Sequence, residues 1–190
     1  MPTAEEVIRF WVDDVGPKGW YAVDAALDAR IREKFKDLWA KAHQGKLQDW
    51  LTNPRGALAY LILTDQFPRN MFRGEGRAFA TDPMARAGAK HALEQGFDMR
   101  VKEPERQFFY MPLMHSECLT DQDRCVRLML TRMPETGADN LIHAKAHREV
   151  IRRHGRFPFR NEALARSSRP EEAAFIDEGG YARIVQELRP

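Results

Sequence analysis

Apolar residues in this chain recur at steps of three and four between breaks marked by Pro and Gly, and that spacing restricts it to helices. Leu27, Ile31, Phe35, Leu38 and Ala42 form one such stripe. Asp24 ahead of it can accept from first-turn N–H groups, and Gly45 can end it. Thr3 with Glu6 has the spacing of a capping box for a first helix running toward Trp11, and Gly16-Pro17 breaks the chain after it. Asn53-Pro54 opens a helix that is apolar nearly all round, from Ala57 to about Gln66, with Pro68 predicted as its stop. Asp82-Pro83 opens another, closed by Gly96; one or two more cover 112–133. Gly137 and Gly155 bracket a helix from Ala138 to His154. Ser168 and Glu171 predict a second capping box, and a last helix runs from Tyr181. Strand-like alternation between turn pairs is absent. The expectation is a single all-α domain over residues 1–190, with about eight or nine helices, short loops and no linker.

Composition excludes several classes of function. Thirty Lys plus Arg stand against 28 Asp plus Glu, a net charge of +2, which argues against a dedicated nucleic-acid binder. No run of 18 apolar residues occurs, so no membrane span is expected. Met1 to Phe10 carries Glu5 and Glu6 and lacks the basic-then-apolar order of a secretion signal. Cys118 and Cys125 would lie about 10 Å apart on one helix, beyond disulfide reach. Reduced thiols and a cytoplasmic location follow. The cations are uneven: 22 are Arg and 8 are Lys. Arg148 to Arg169 holds seven Arg against Glu149 and Glu162.

Three polar clusters stand out. Asp65-Gln66-Phe67-Pro68-Arg69-Asn70 is echoed by Gly155-Arg156-Phe157-Pro158-Phe159-Arg160-Asn161. Each places Phe-Pro and then Arg-Asn just beyond a helix. The pair reads either as two helix stops with a buried Phe, or as related corners that present Arg69, Asn70, Arg160 and Asn161. Asp65 falls on the apolar face and needs a cation or several donors; Arg69, Arg73 and Arg160 are candidates. In the second cluster His143, His147 and His154 run down the middle of the apolar face of their helix. His143 and His147 are spaced for a shared metal, but the glutamate of an HExxH site is missing. A hydrogen-bonded structural role, or else a catalytic or ligand role, is the better reading, and no metal or cofactor is predicted. In the third, His115 and Glu117 flank Ser116, as in an acid–base site, without a G-x-S-x-G elbow.

Four ordered segments carry a family resemblance: Asp65 to Asn70, Arg77-Ala78-Phe79-Ala80-Thr81-Asp82, Tyr110-Met111-Pro112-Leu113-Met114-His115-Ser116-Glu117, and Gly155 to Asn161. Together they resemble the bacterial domain-of-unknown-function family 924 over nearly the whole chain. The resemblance implies a tetratricopeptide-like, right-handed array of antiparallel helix pairs and assigns no activity. Phe159 stands where the resemblance leads one to expect a polar His.

Two functions compete. One is an interaction or ligand-binding module in which Asp65, Arg69, Asn70, Arg73, His115, Glu117, His143, His147, Arg160 and Asn161 form a polar cluster for an acidic peptide or a small anionic ligand. Such a module requires free, exposed Arg side chains. The alternative is a small-molecule enzyme in which Asp65, Arg69, His115, Glu117, His147 and Arg160 converge on one enclosed pocket. A buried network that only specifies the fold would account for the same residues without any ligand.

Overall fold

The computed structural model describes residues 1–189, and every regular element among them is helical. The helices gather into two units, Met1–Pro112 and Leu113–Pro190.

In the first unit, Thr3 caps the helix Ala4–Ile8 through the predicted box with Glu6. A wide π-helical stretch, Arg9–Val15, extends it to Gly16. Asp24 caps Ala25–His43 by accepting from the amides of Ala26 and Leu27, and the predicted stripe is its buried face. Phe35 and Phe67 lie 4.7 Å apart between ring centroids, with Phe10 and Trp11 edge-on to Phe67. These rings form the centre of the unit, as edge-to-face packing favours.

The helix Pro54–Leu61 is capped by Asn53 and buried on nearly every side, as its composition requires. It does not stop at Pro68. It widens into a π-helix over Ile62–Gln66 and continues as Phe67–Met71, with Pro68 in the first turn. In an α-helix the proline ring would meet the carbonyl four residues back, and proline offers it no N–H. That carbonyl belongs to Thr64, and the Thr81 hydroxyl donates to it at 2.6 Å. Thr81 Oγ1 accepts in turn from the Trp39 indole at 3.1 Å. The wider turn removes the clash, and a side chain from another segment supplies a donor.

In the second unit, Leu119–Arg132 packs against Ala138–His154 across the tight turn 133–137. A Cβ at Gly137 would sit 2.3 Å from Met133 Cβ and 2.5 Å from the Met133 carbonyl oxygen, so only glycine fits. Gly155 ends the second helix in the left-handed region, at φ 71°. Pro170–Asp177 and Gly180–Leu188 close the unit over a core of Ala146, Val150, Ile151, Phe157, Phe175 and Ile184. The predicted capping box is displaced by one residue. Arg169 holds the cap position, and Glu172, not Glu171, accepts from its backbone N–H, because Pro170 sets the first helical residue one place later. No helix among the described residues is long and apolar enough to cross a membrane.

Thr81→Val keeps the shape of the side chain and deletes both hydrogen bonds. It is expected to cost about 2 kcal/mol in urea unfolding, the usual penalty for stranding buried polar groups, with the m-value unchanged.

Candidate functional site

The polar residues of the first unit build a corner in which each arginine is matched to a carboxylate. Asp65 is 1% exposed and accepts from Gln66 Nε2 at 2.6 Å. Arg69 donates to the Asp65 carbonyl at 2.8 Å and to both carboxylate oxygens of Asp82, at 3.0 and 3.1 Å. Burial pulls the Arg69 pKa down, but the charges of Asp65 and Asp82 outweigh it and the net shift is upward. Asn70 and Arg73 both serve Asp28: Asn70 Nδ2 at 2.8 Å, Arg73 Nε at 2.8 Å and its Nη2 at 3.0 Å. Burial would raise the Asp28 pKa; the Arg73 and Asn70 hydrogen bonds hold it below the usual carboxylate range.

The second corner repeats that chemistry on a different backbone. The chain turns at Gly155, extends at Phe157 and makes one 3₁₀ turn over Pro158–Arg160. Glu172, with no exposed surface, is its centre. Arg156 donates to both its oxygens at 2.6 and 2.7 Å, Arg169 adds a backbone and a guanidinium donor, and Asn161 Nδ2 donates at 3.1 Å. These bonds, led by Arg156, hold the Glu172 carboxyl far below its ordinary range. The network continues from Asn161 Oδ1 to Arg166, whose guanidinium grips both oxygens of Glu117 at 2.8 and 3.0 Å. Glu117 also accepts from the Phe157 backbone N–H at 2.8 Å. Burial raises the Glu117 pKa, and the bonds from Arg166 and Phe157 more than offset it. Glu117 and Asn161 are therefore spent on holding the loop 155–169. Arg160 is buried, with its guanidinium 4.4 Å from the centre of the Phe157 ring.

The histidine helix carries the groups that face outward from this network. His143, His147 and His154 are half-buried rather than fully inside. The His147 Nδ1–H donates to the His143 carbonyl at 2.8 Å. That bond fixes the tautomer and leaves a lone pair on Nε2, which has no hydrogen-bond partner among the described residues. Burial, with His115, Arg160 and His143 nearby, pushes the His147 pKa down to about 3, so the ring is neutral at pH 7. The His115 ring lies 6.1 Å away. Tyr181 donates to His143 Nδ1 at 2.5 Å, and His143 Nε2 lies 3.4 Å from Asp139 Oδ2. Burial keeps the Tyr181 hydroxyl protonated well above its ordinary pKa. His143 and His147 each commit Nδ1 to a hydrogen bond, to the Tyr181 hydroxyl and to the His143 carbonyl respectively. No group of three or more His, Cys, Asp or Glu among the described residues is arranged to hold a metal ion. His154 packs its ring 4.7 Å from Phe175, and neither nitrogen has a hydrogen-bond partner among the described residues.

His147 and Tyr181 border a cavity of about 290 Å³, otherwise lined by Phe159, Phe175, Ile176 and Gly180. Nothing in the local spacing marks Tyr181, Arg166 or Glu172 as partners of the motif residues. The one available signal is Glu172 at the third helical position behind Pro170, which fits a carboxylate reaching back to a helix start.

A family profile described as a bacterial protein of unknown function, DUF924, matches residues 7–180. The chain belongs to that family. A solved structure of a protein of unknown function from Agrobacterium tumefaciens is 40% identical, with a TM-score of 0.87; the likeness covers 93% of this chain and 97% of that one. No curated protein matches the chain.

Acid should loosen the second corner and the helix Ala138–His154 that leads into it. Glu149, beside Arg152 and Arg153, is held down to about 2 from an ordinary 4.5, and Glu117 and Glu172 are lowered with it. The unfolded chain takes up protons that the folded chain refuses, so this stability is complete above the unfolded pKa and is lost as pH falls through the folded values. The urea midpoint should fall steeply between about pH 5 and pH 2. Glu172→Gln should start lower at pH 7 and fall less. Separately, Ala165 holds φ 51°, a region that costs a residue with a Cβ roughly 1 kcal/mol. Ala165→Gly is expected to raise stability by about that amount in the same assay.

Proposed function

We propose that this DUF924 member binds a small, largely apolar molecule in the cavity beside His147, with His147 Nε2 accepting a hydrogen bond from it. One observation carries the reading: a neutral imidazole with a fixed tautomer keeps an unused acceptor beside an otherwise apolar cavity. The cavity volume, about 290 Å³, is near the lower end of the roughly 300–1,000 Å³ typical of small-molecule sites. Phe159 and Ile176 border it and are both exposed, which gives an apolar entrance. The ion network behind Phe157 would keep the loop rigid and spare the ligand the cost of ordering it.

An acidic peptide is less well supported. Arg69, Arg73, Arg156 and Arg166 each hold a carboxylate of their own unit, so a peptide would have to displace those partners. The helix pair around Gly137 suits an array of helix pairs, and the free thiols of Cys118 and Cys125 suit a cytoplasmic setting. A second reading, acid–base catalysis at the same cavity, is favoured by the order Asp139, His143, Tyr181. There a carboxylate orients an imidazole that polarises a phenol, as in other relays.

p-Cresol and toluene separate the contributions, because both present an apolar ring and only one has a donor. p-Cresol should show saturable binding by NMR and shift the His147 ring signals. His147→Phe should weaken p-cresol about fivefold while leaving toluene unchanged, the worth of one neutral hydrogen bond. The imidazole nitrogens of His147 should not titrate between pH 7 and pH 5. Equal loss of both probes, or titration near 6.5, would reject the acceptor role.

A further inference from the structure

A larger cavity lies in the first unit, and none of the candidate site residues lines it. It has a volume of about 830 Å³ and opens between the 3₁₀ segment Gln48–Thr52, the helix Pro54–Leu61 and the helix Asp82–Glu94. Gly88 permits the close approach of these elements: a Cβ there would lie 3.2 Å from Tyr60 Cε1 and 3.3 Å from Leu51 Cδ2. Tyr60, His91 and Phe97 supply flat aromatic walls.

The chemistry of this lining is specific. Tyr60 is 1% exposed, yet its hydroxyl has a single partner among the described residues, the exposed amide of Gln48 at 3.4 Å. A buried phenol ordinarily makes a normal-length hydrogen bond, and here the hydroxyl has only this long contact, which leaves it able to donate to a ligand. Burial pushes the Tyr60 pKa up, so the group remains a donor at any ordinary pH. His91 Nε2–H donates to the Leu51 carbonyl at 3.2 Å, which leaves Nδ1 as an acceptor. Among the described residues, no Asp, Glu, Lys or Arg lines the cavity. An anion would find no cation there, and a cation no carboxylate.

We infer that this cavity is a second ligand site, built for a neutral, flat molecule that carries a carbonyl for the Tyr60 hydroxyl, with a donor such as an amide N–H for His91. A primary aromatic amide has that combination. A charged analogue would lose its hydration without receiving a counter-charge.

Benzamide, benzoate and benzylamine, one neutral, one anionic and one cationic ring compound of similar size, test the assignment on the full chain. Backbone amide NMR should show benzamide shifting Tyr60, Gly88 and His91, while benzoate and benzylamine bind at least tenfold more weakly. Tyr60→Phe should weaken benzamide about fivefold, the worth of one neutral hydrogen bond. Ala87→Leu should weaken binding by narrowing the cavity at its wall, and Ala87 is exposed, so the fold is retained. Benzoate binding as well as benzamide, an unchanged benzamide affinity in Tyr60→Phe, or no shift in these residues at millimolar benzamide would overturn the inference. The residues read out belong to the first unit, so the result is independent of the His147 cavity.

Discussion

A carboxylate removed from water must be met by donors, because its desolvation costs several kcal/mol and an all-helical fold has no free sheet edge to offer. Glu172 meets that requirement with five donors: two from Arg156, two from Arg169 and one from Asn161. Their positions tie the start of Pro170–Asp177 to the end of Ala138–His154. The loop between them has little freedom left. Phe157 is then clamped by its own backbone, its N–H to Glu117 and its carbonyl to Arg166. Its ring stands 5.4 Å from His147, edge to face. The histidine that borders the cavity is thus positioned by charges that never touch the cavity.

The first corner solves the same problem with a different backbone. Asn70 and Arg73 share Asp28 as Asn161 and Arg156 share Glu172. In both corners the Phe and the Pro are buried, and the amide and the guanidinium divide one carboxylate. The arginine excess follows from this use. A guanidinium can bind both oxygens of a carboxylate with fixed geometry, whereas an ammonium is a point charge that orients nothing. Each corner needs orientation, since the carboxylate comes from a different helix than its donors. Replacement of these arginines by lysine would conserve charge and lose register.

Much of this is legible in the sequence, and the reasons for the remainder are physical. Helix starts are readable because capping is local: Thr3, Asp24 and Asn53 each act within three residues. Asp65 is readable as buried because a carboxylate on an apolar face has nowhere else to go. Pro68 reads wrongly as a stop because the rule concerns α-helices. A π-turn absorbs the ring, and the donor that compensates, Thr81, lies 17 residues beyond the Thr64 carbonyl that it serves. The identities of the partners are hidden for the same reason. Asp28 lies 45 residues from Arg73, and Glu117 lies 49 from Arg166. Spacing along a chain fixes which face a residue shares, not which distant segment is brought against it.

The three helical histidines show how far one face can diverge once tertiary contacts are set. All fall on one stripe, and each has a different state. His154 rests against Phe175 with neither nitrogen partnered among the described residues, so burial favours its neutral form and it acts as a flat apolar spacer. His143 is held from both sides, by Tyr181 at Nδ1 and by Asp139 at Nε2. His147 has one nitrogen fixed on the backbone and the other unspent. Protonating it would place a cation beside Arg160 and His115, with desolvation adding to the cost. Its environment therefore selects a neutral acceptor over an acid. Of the three, only His147 combines a fixed tautomer, a neutral ring and an unused lone pair at a cavity, and those properties derive from its neighbours, not from its place on the helix.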